Sequence, residues 1–199
     1  MDVNLNTHKT DEDLMGAIKM GDKTALEEIF GRYKSRIFRF AFSMLRNRAD
    51  AEDSTGDVFL SIYRKRHTFN TGASFSPWIY AISRNRCLNM IRKKKKIFFM
   101  SLFGTHTGGG KASVDIPDDR STPSEEMEKK EQIQHVRLAI ERLPYEQREA
   151  ITLRQYHGFT YDDISRILEC SLEKVKILIY RAKEQLRRDL ASYIREESL

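Results

Sequence analysis

Carboxylates are missing from a long central stretch of this chain. Positions 58–114 hold eleven Lys or Arg and no Asp or Glu, although acids make up 29 of the 199 residues. Such a gap lets a surface approach a polyanion without like-charge repulsion, and each phosphate it neutralises releases counterions. The flanks are nearly balanced, at net −2 for residues 1–57 and −3 for residues 115–199, within a total of +6. Cysteine is scarce: Cys87 and Cys170 form neither a disulfide framework nor a metal-ligand spacing, and are expected to be small apolar filler. The five histidines are scattered, so no metal site is expected, and nothing in the chain asks for a cofactor. The apolar run from Ile97 to Met100 is far too short to span a bilayer. The N-terminus is polar and acidic, unlike a secretory signal, so a soluble, cytoplasmic protein is expected.

What is present is helical periodicity. The sequence predicts an all-α protein of two small helical domains, 10–97 and 127–193, joined by a flexible linker at 98–126. Thr10 and Asp13 form a capping-box pattern that opens a short helix carrying Leu14, Ala17 and Ile18, and Gly21 stops it. Asp22 caps a second helix, whose Leu26, Ile29, Phe30, Tyr33, Ile37, Ala41 and Leu45 step by three or four. A third helix is predicted from about Ala49 to Lys65, and a fourth from Ser76-Pro77 to about Lys96. The linker GTHTGGGKASVDIPDDRSTPS (104–124) lacks periodicity and is rich in Gly, Ser, Thr and Pro. The apolar segment 97–103 before it reads either as helix packing or as a docking segment. Ile133, Val136, Ile140 and Leu143 then mark one helix; Ala150, Ile151, Leu153 and Tyr156 mark another, ending at Gly158.

The segment 159–188 is the most legible. Thr160 and Asp163 open a helix whose buried stripe is Ile164, Ile167 and Leu168, and Glu169-Cys170 carries a turn. Ser171 caps the next helix. There Val175, Leu178, Ile179, Ala182 and Leu186 fall on one face, and Lys176, Tyr180, Lys183 and Arg187 on another. One face seats the helix in a core; the other offers cations and a phenol to an anion. That is the arrangement of a helix-turn-helix recognition helix.

Two blocks together resemble a known family. AEDSTGDVFLSIY (51–63) with FSPWIYAISRNRCLNMIRKKKK (75–96) is similar to the second conserved region of sigma-70 family transcription initiation factors. LPYEQREAITLRQYHGFTYDDISRILECSLEKVKILIYRAKEQL (143–186) is similar to their fourth region. Having only these two regions and a linker, the chain resembles the extracytoplasmic-function sigma factors. The resemblance implies a subunit of bacterial RNA polymerase, not an enzyme, with no small-molecule substrate. Its implied partners are core RNA polymerase, promoter DNA and an anti-sigma factor. The first domain would bind polymerase and capture the melted minus-ten strand; the second would read the minus-thirty-five duplex.

By the same resemblance, Glu52, Asp53 and Asp57 lie on the helix that meets the polymerase clamp, with basic and acidic charge on opposite sides of the domain. Ser54 and Gly56 stand where the family often has Leu and Gln. The strand-capturing surface would use Phe69, Asn70, Tyr80, Ile82, Arg84, Asn85 and Arg92, Phe69 and Asn85 shaping a pocket for an extruded base. Cationic tracks interleaved with π-faces hold single strands in this way, and an amide both donates and accepts at a base edge. Trp78 reads as core or as a base platform, and the run 92–96 as a backbone track. Ala81 stands where the family often has Arg. In the second domain, Lys176, Tyr180 and Arg181 match DNA-facing positions, while Glu173 and Lys174 lie near enough to reach the groove. Ile177 points outward, to meet a thymine methyl or to weaken the contact.

Read from residues alone, an ordinary helix-turn-helix repressor or activator also accommodates 159–188, but leaves the aromatic and basic stretch without a role. No paired carboxylates stand beside a candidate base or metal site, which argues against a nuclease.

Overall fold

A computed structural model describes residues 9–70, 72–103 and 125–196, with side chains over 9–70, 72–97 and 133–191. Every regular element among the described residues is helical, in two compact units, Met1–His106 and Thr107–Leu199. The linker at 104–124 lies outside the described residues.

In the first unit, α1 (Asp11–Lys19) opens on the Thr10–Asp13 capping box and closes at Gly21, whose φ of 93° suits a residue without Cβ. Asp22 caps α2 (Lys23–Leu45) by accepting from the amides of Thr24 and Ala25. The helices α3 (Arg48–Lys65) and α4 (Phe75–Phe103) pack on α2, and the 3-10 turn Arg66–Thr68 leads from α3 into the connection before α4. The core is Leu14, Met15 and Ile18 of α1, Ile29, Ile37 and Phe40 of α2, Val58 and Ile62 of α3, and Phe75, Ile79 and Cys87 of α4. Each such large side chain contributes about 1.5–3 kcal/mol by leaving water.

The fourth helix differs from its expected limits. It begins at Phe75 and runs on through 97–103, so part of the expected linker continues α4; Ile97 is exposed, and the side chains beyond it lie outside the description.

In the second unit, α5 (Glu125–Arg142), α6 (Tyr145–Gln155) and α7 (Tyr161–Leu168) gather around α8 (Leu172–Glu196). Ile133 and Val136 are exposed rather than buried, because burial starts only at Ala139 near the end of α5 and at Leu143 just after it. Tyr156, expected on the apolar stripe of α6, is 63% exposed beyond the helix end. Gly158 takes a positive φ of 71°, turning the chain so that the Phe159 amide donates to Leu153 O at 3.2 Å and the Phe159 carbonyl accepts from Arg154 at 2.9 Å.

Candidate nucleic-acid interface

Helical angle sorts the residues of α4. Positions 78, 82, 85, 89 and 92 step by four, three, four and three, so Trp78, Ile82, Asn85, Asn89 and Arg92 share one stripe. Trp78 and Ile82 are half-buried at its start, while Asn85, Asn89 and Arg92 are exposed. Asn89 went unnoticed in the sequence, although the same spacing finds it. Arg84 is half-buried beside the stripe. Ala81 is also half-buried.

Two of the expected contact residues belong to the core instead. Phe69 is only 2% exposed; its ring packs against Phe75 at 5.9 Å and Trp78 at 5.0 Å between centroids. Tyr80 is also 2% exposed and meets Phe40 edge-on at 5.3 Å. Burial pushes its phenol well above the ordinary tyrosine range, with Arg36 and Arg39 pulling the other way. Neither ring offers a face to a base, because each fills the space between helices that an aromatic of its size closes best.

Asn70 is exposed at the head of the connection before α4. Its Oδ1 accepts from the Gly72 amide at 3.0 Å, and its carbonyl accepts from Ala73 at 2.9 Å. The ends of this connection are held from α1: Lys19 Nζ donates to Phe69 O at 2.5 Å, and Glu12 Oε1 accepts from the Phe75 amide at 2.8 Å.

The acids of α3 divide into two sets. Asp50 and Asp57, seven residues apart, flank buried Ser54 on the side facing α4, where they pair with Lys94 and Arg86. The expectation of acids on one side and cations on the other therefore fails for Asp57. Its place on the helix turns it toward the basic neighbour. Glu52 and Asp53 face outward, Glu52 with Arg48 Nε at 2.9 Å. Ser54 Oγ lies 3.6 Å from Cys87 Sγ, in the buried space where the family often has Leu. A Cβ at Gly56 would meet nothing within 4 Å, so packing does not require the glycine. Glu52, Gly56 and exposed Leu60 follow one outward line on α3. Beside it opens a groove of about 520 Å³ lined by Phe30, Phe38, Arg48 and Thr55.

In the second unit, Thr160 Oγ1 accepts from the Asp163 amide at 3.1 Å and the Asp163 carboxylate accepts from the Thr160 amide at 3.3 Å. Glu169 closes α7 in the left-handed region at φ 53°, and Ser171 Oγ accepts from the Lys174 amide at 3.2 Å to open α8. Val175, Leu178, Ile179 and Ala182 are buried. Lys176 and Arg181 are exposed, as are Ile177 at 49% and Tyr180 at 66%. Lys174 Nζ contacts Glu146 Oε1 of α6 at 2.9 Å. Gln147 and Arg188 line an open groove of about 400 Å³ with Tyr180 and Arg181. Sequence reading missed both, although Arg188 follows Arg181 by seven residues, two helical turns. Among the described residues, no group of His, Cys, Asp and Glu is placed to hold a metal ion, and no helix is long and apolar enough to cross a membrane.

Known proteins share this arrangement. The family described as Sigma-70 region 2 matches residues 29–97, and that described as Sigma-70, region 4 matches residues 133–186. The chain is 30% identical to the ECF RNA polymerase sigma factor SigW of Bacillus subtilis, over 87% of this chain and 92% of the relative. It is 26% identical to the RNA polymerase sigma-H factor of Pseudomonas aeruginosa, over 96% of this chain and 98% of the relative. Among solved structures, the sigma factor RpoE of Bartonella quintana, in complex with the anti-sigma factor NepR, matches with a TM-score of 0.68 and 25% identity, covering 83% of this chain and 96% of that one. CnrH, in complex with the cytosolic domain of CnrY, shares the fold with a TM-score of 0.67 at 18% identity, covering 92% of this chain and 97% of that one.

Proposed function

This chain belongs to the extracytoplasmic-function sigma factors of the sigma-70 family, and from that premise we propose that it joins core RNA polymerase in the cytoplasm and directs initiation at a set of promoters. The observation that carries the reading is the pairing, in one chain, of an acid-free aromatic and basic helix with a capped helix-turn-helix. It is a specificity subunit and not an enzyme.

On α4, the stripe Ile82, Asn85 and Arg92, with Asn70 and Arg84 beside it, takes the melted minus-ten strand. Phe69 and Tyr80 serve as the packed floor beneath. An exposed amide supplies both a donor and an acceptor to a base edge, and Arg92 with the cations after it follows the phosphates. On α8, Lys176, Ile177, Tyr180 and Arg181 enter the minus-thirty-five major groove, Lys174 standing at its edge. Glu52 and Asp53, with Leu60 and the groove at Gly56, form the polymerase-facing side; Asp57 joins α3 to α4. An anti-sigma protein is the second partner we assign, by analogy with the solved relative that is held by one.

The test is reconstitution with core polymerase and mapping of transcript starts across a genomic library. The expected result is two short shared motifs upstream of the starts. Starts with no common upstream sequence would refute the proposal.

A further inference from the structure

The family match to the first domain begins at residue 29 and leaves α1 outside it. Yet α1 reaches both ends of the connection that leads into α4. Lys19 Nζ donates to the Phe69 carbonyl at 2.5 Å and stands 5.9 Å from the centre of the Phe69 ring. Glu12 Oε1 accepts from the Phe75 amide, the first of α4, at 2.8 Å. The two side chains are seven residues apart on one helix, a rise of about 10 Å along its axis. Both bind main-chain atoms, so they fix where the connection lies without depending on its side chains.

This ruler is itself firmly seated. Leu14, Met15 and Ile18 are wholly buried, and the Asp11 carboxylate receives Arg32 Nη1 and the Tyr33 hydroxyl, each at 2.5 Å. The Tyr33 ring meets Phe75 edge-on at 5.2 Å. Phe69, held at its carbonyl by Lys19, packs under Trp78, the first residue of the candidate strand-binding stripe. A shift of either end is therefore passed to Asn70 on one side and to Trp78 on the other.

We infer that Glu12 and Lys19 are positioning residues that set the gap in which an extruded minus-ten base is read. This inference rests on the proposed function and deepens it. Without the Lys19 contact the Phe69 end relaxes, and without Glu12 the first amide of α4 turns to water. In both cases the slot keeps its chemistry and loses its fixed width. The burial of α1 and the Asp11 contacts remain, so the domain stays folded.

The experiment uses holoenzyme and a promoter set carrying each of the four bases, or an abasic site, at every minus-ten position. Open-complex formation is read by base reactivity, alongside core-polymerase affinity and upstream duplex protection. Wild type is expected to discriminate at one or more positions. Lys19→Ala and Glu12→Ala are expected to cut that discrimination about tenfold, the scale of one charge-assisted hydrogen bond. Polymerase affinity and upstream protection should stay unchanged. Lys19→Arg, which still donates, and Glu12→Gln, which still accepts, should restore most of the preference. Variants that keep the wild-type base preference would overturn the inference. So would a uniform loss on all bases that neither conservative substitution repairs. Wild-type holoenzyme with no preference at any position would instead refute the functional proposal on which the inference rests.

Discussion

Lys174, in the first turn of α8, donates from Nζ to Glu146 Oε1 of α6 at 2.9 Å. Both side chains are about half exposed, so the pair adds at most about 1 kcal/mol to the fold. Its consequence is electrostatic: a carboxylate stands beside the helix proposed to enter DNA. Glu146→Gln should raise holoenzyme affinity for the upstream duplex roughly threefold at low salt, with the gain shrinking as salt rises. Fluorescence anisotropy across a salt series measures this; unchanged affinity at low salt would deny the competition.

Lys176 and Arg188 should behave differently although both are exposed cations on α8. Lys176→Ala is expected to relax preference at one base pair by about 1–3 kcal/mol. Arg188→Ala, at the groove with Gln147, should weaken all duplexes alike, as a phosphate contact does. Competition binding with single-substituted upstream sequences separates the two patterns.

The contrast between the domains explains what the sequence could disclose. Caps are local, so Thr160–Asp163, Thr10–Asp13 and Asp22 were all readable from spacing, and the folded chain places each as expected. The two faces of α8 followed from a 3.6-residue period for the same reason. Phe69 and Tyr80 were misjudged because an aromatic among cations has the same local signature in a core as on a DNA surface; only tertiary packing decides. Asp57 was misplaced because composition counts charges without saying which neighbour they face. The roles of Glu12 and Lys19 were not legible at all, since both act on main-chain atoms fifty or more positions away.

Glu52 and Asp53 should matter more to polymerase than Asp57 does. The first two face outward, while Asp57 is engaged by Arg86. Glu52→Lys combined with Asp53→Lys is expected to weaken binding to core polymerase by about tenfold or more, and Asp57→Asn by no more than about threefold. Titration of labelled protein with core polymerase gives both values. Equal losses would mean that Asp57 reaches the partner directly.

Two phenols should titrate late. Burial raises Tyr33 first of all, with its hydrogen bond to Asp11 adding to this, and burial raises Tyr80. A folded-state pKa above the unfolded value means that the stabilisation is intact below the ordinary tyrosine range, near 10. It is then lost as pH climbs from there toward the raised values. Near-ultraviolet absorbance titration should therefore show at least two of the eight tyrosines ionising only together with unfolding. Eight phenols titrating freely in the folded protein would contradict the burial of both rings.

The central claim is a division of labour between the stripe on α4 and the outer face of α8, and it is tested most directly at a single promoter bound by holoenzyme. Base reactivity reports the opened strand while nuclease protection reports the upstream duplex. Asn85→Ala with Arg92→Ala should abolish opening and leave upstream protection in place, whereas Lys176→Glu should remove upstream protection first. Normal opening by the α4 variant, or the same defect from both, would contradict the account.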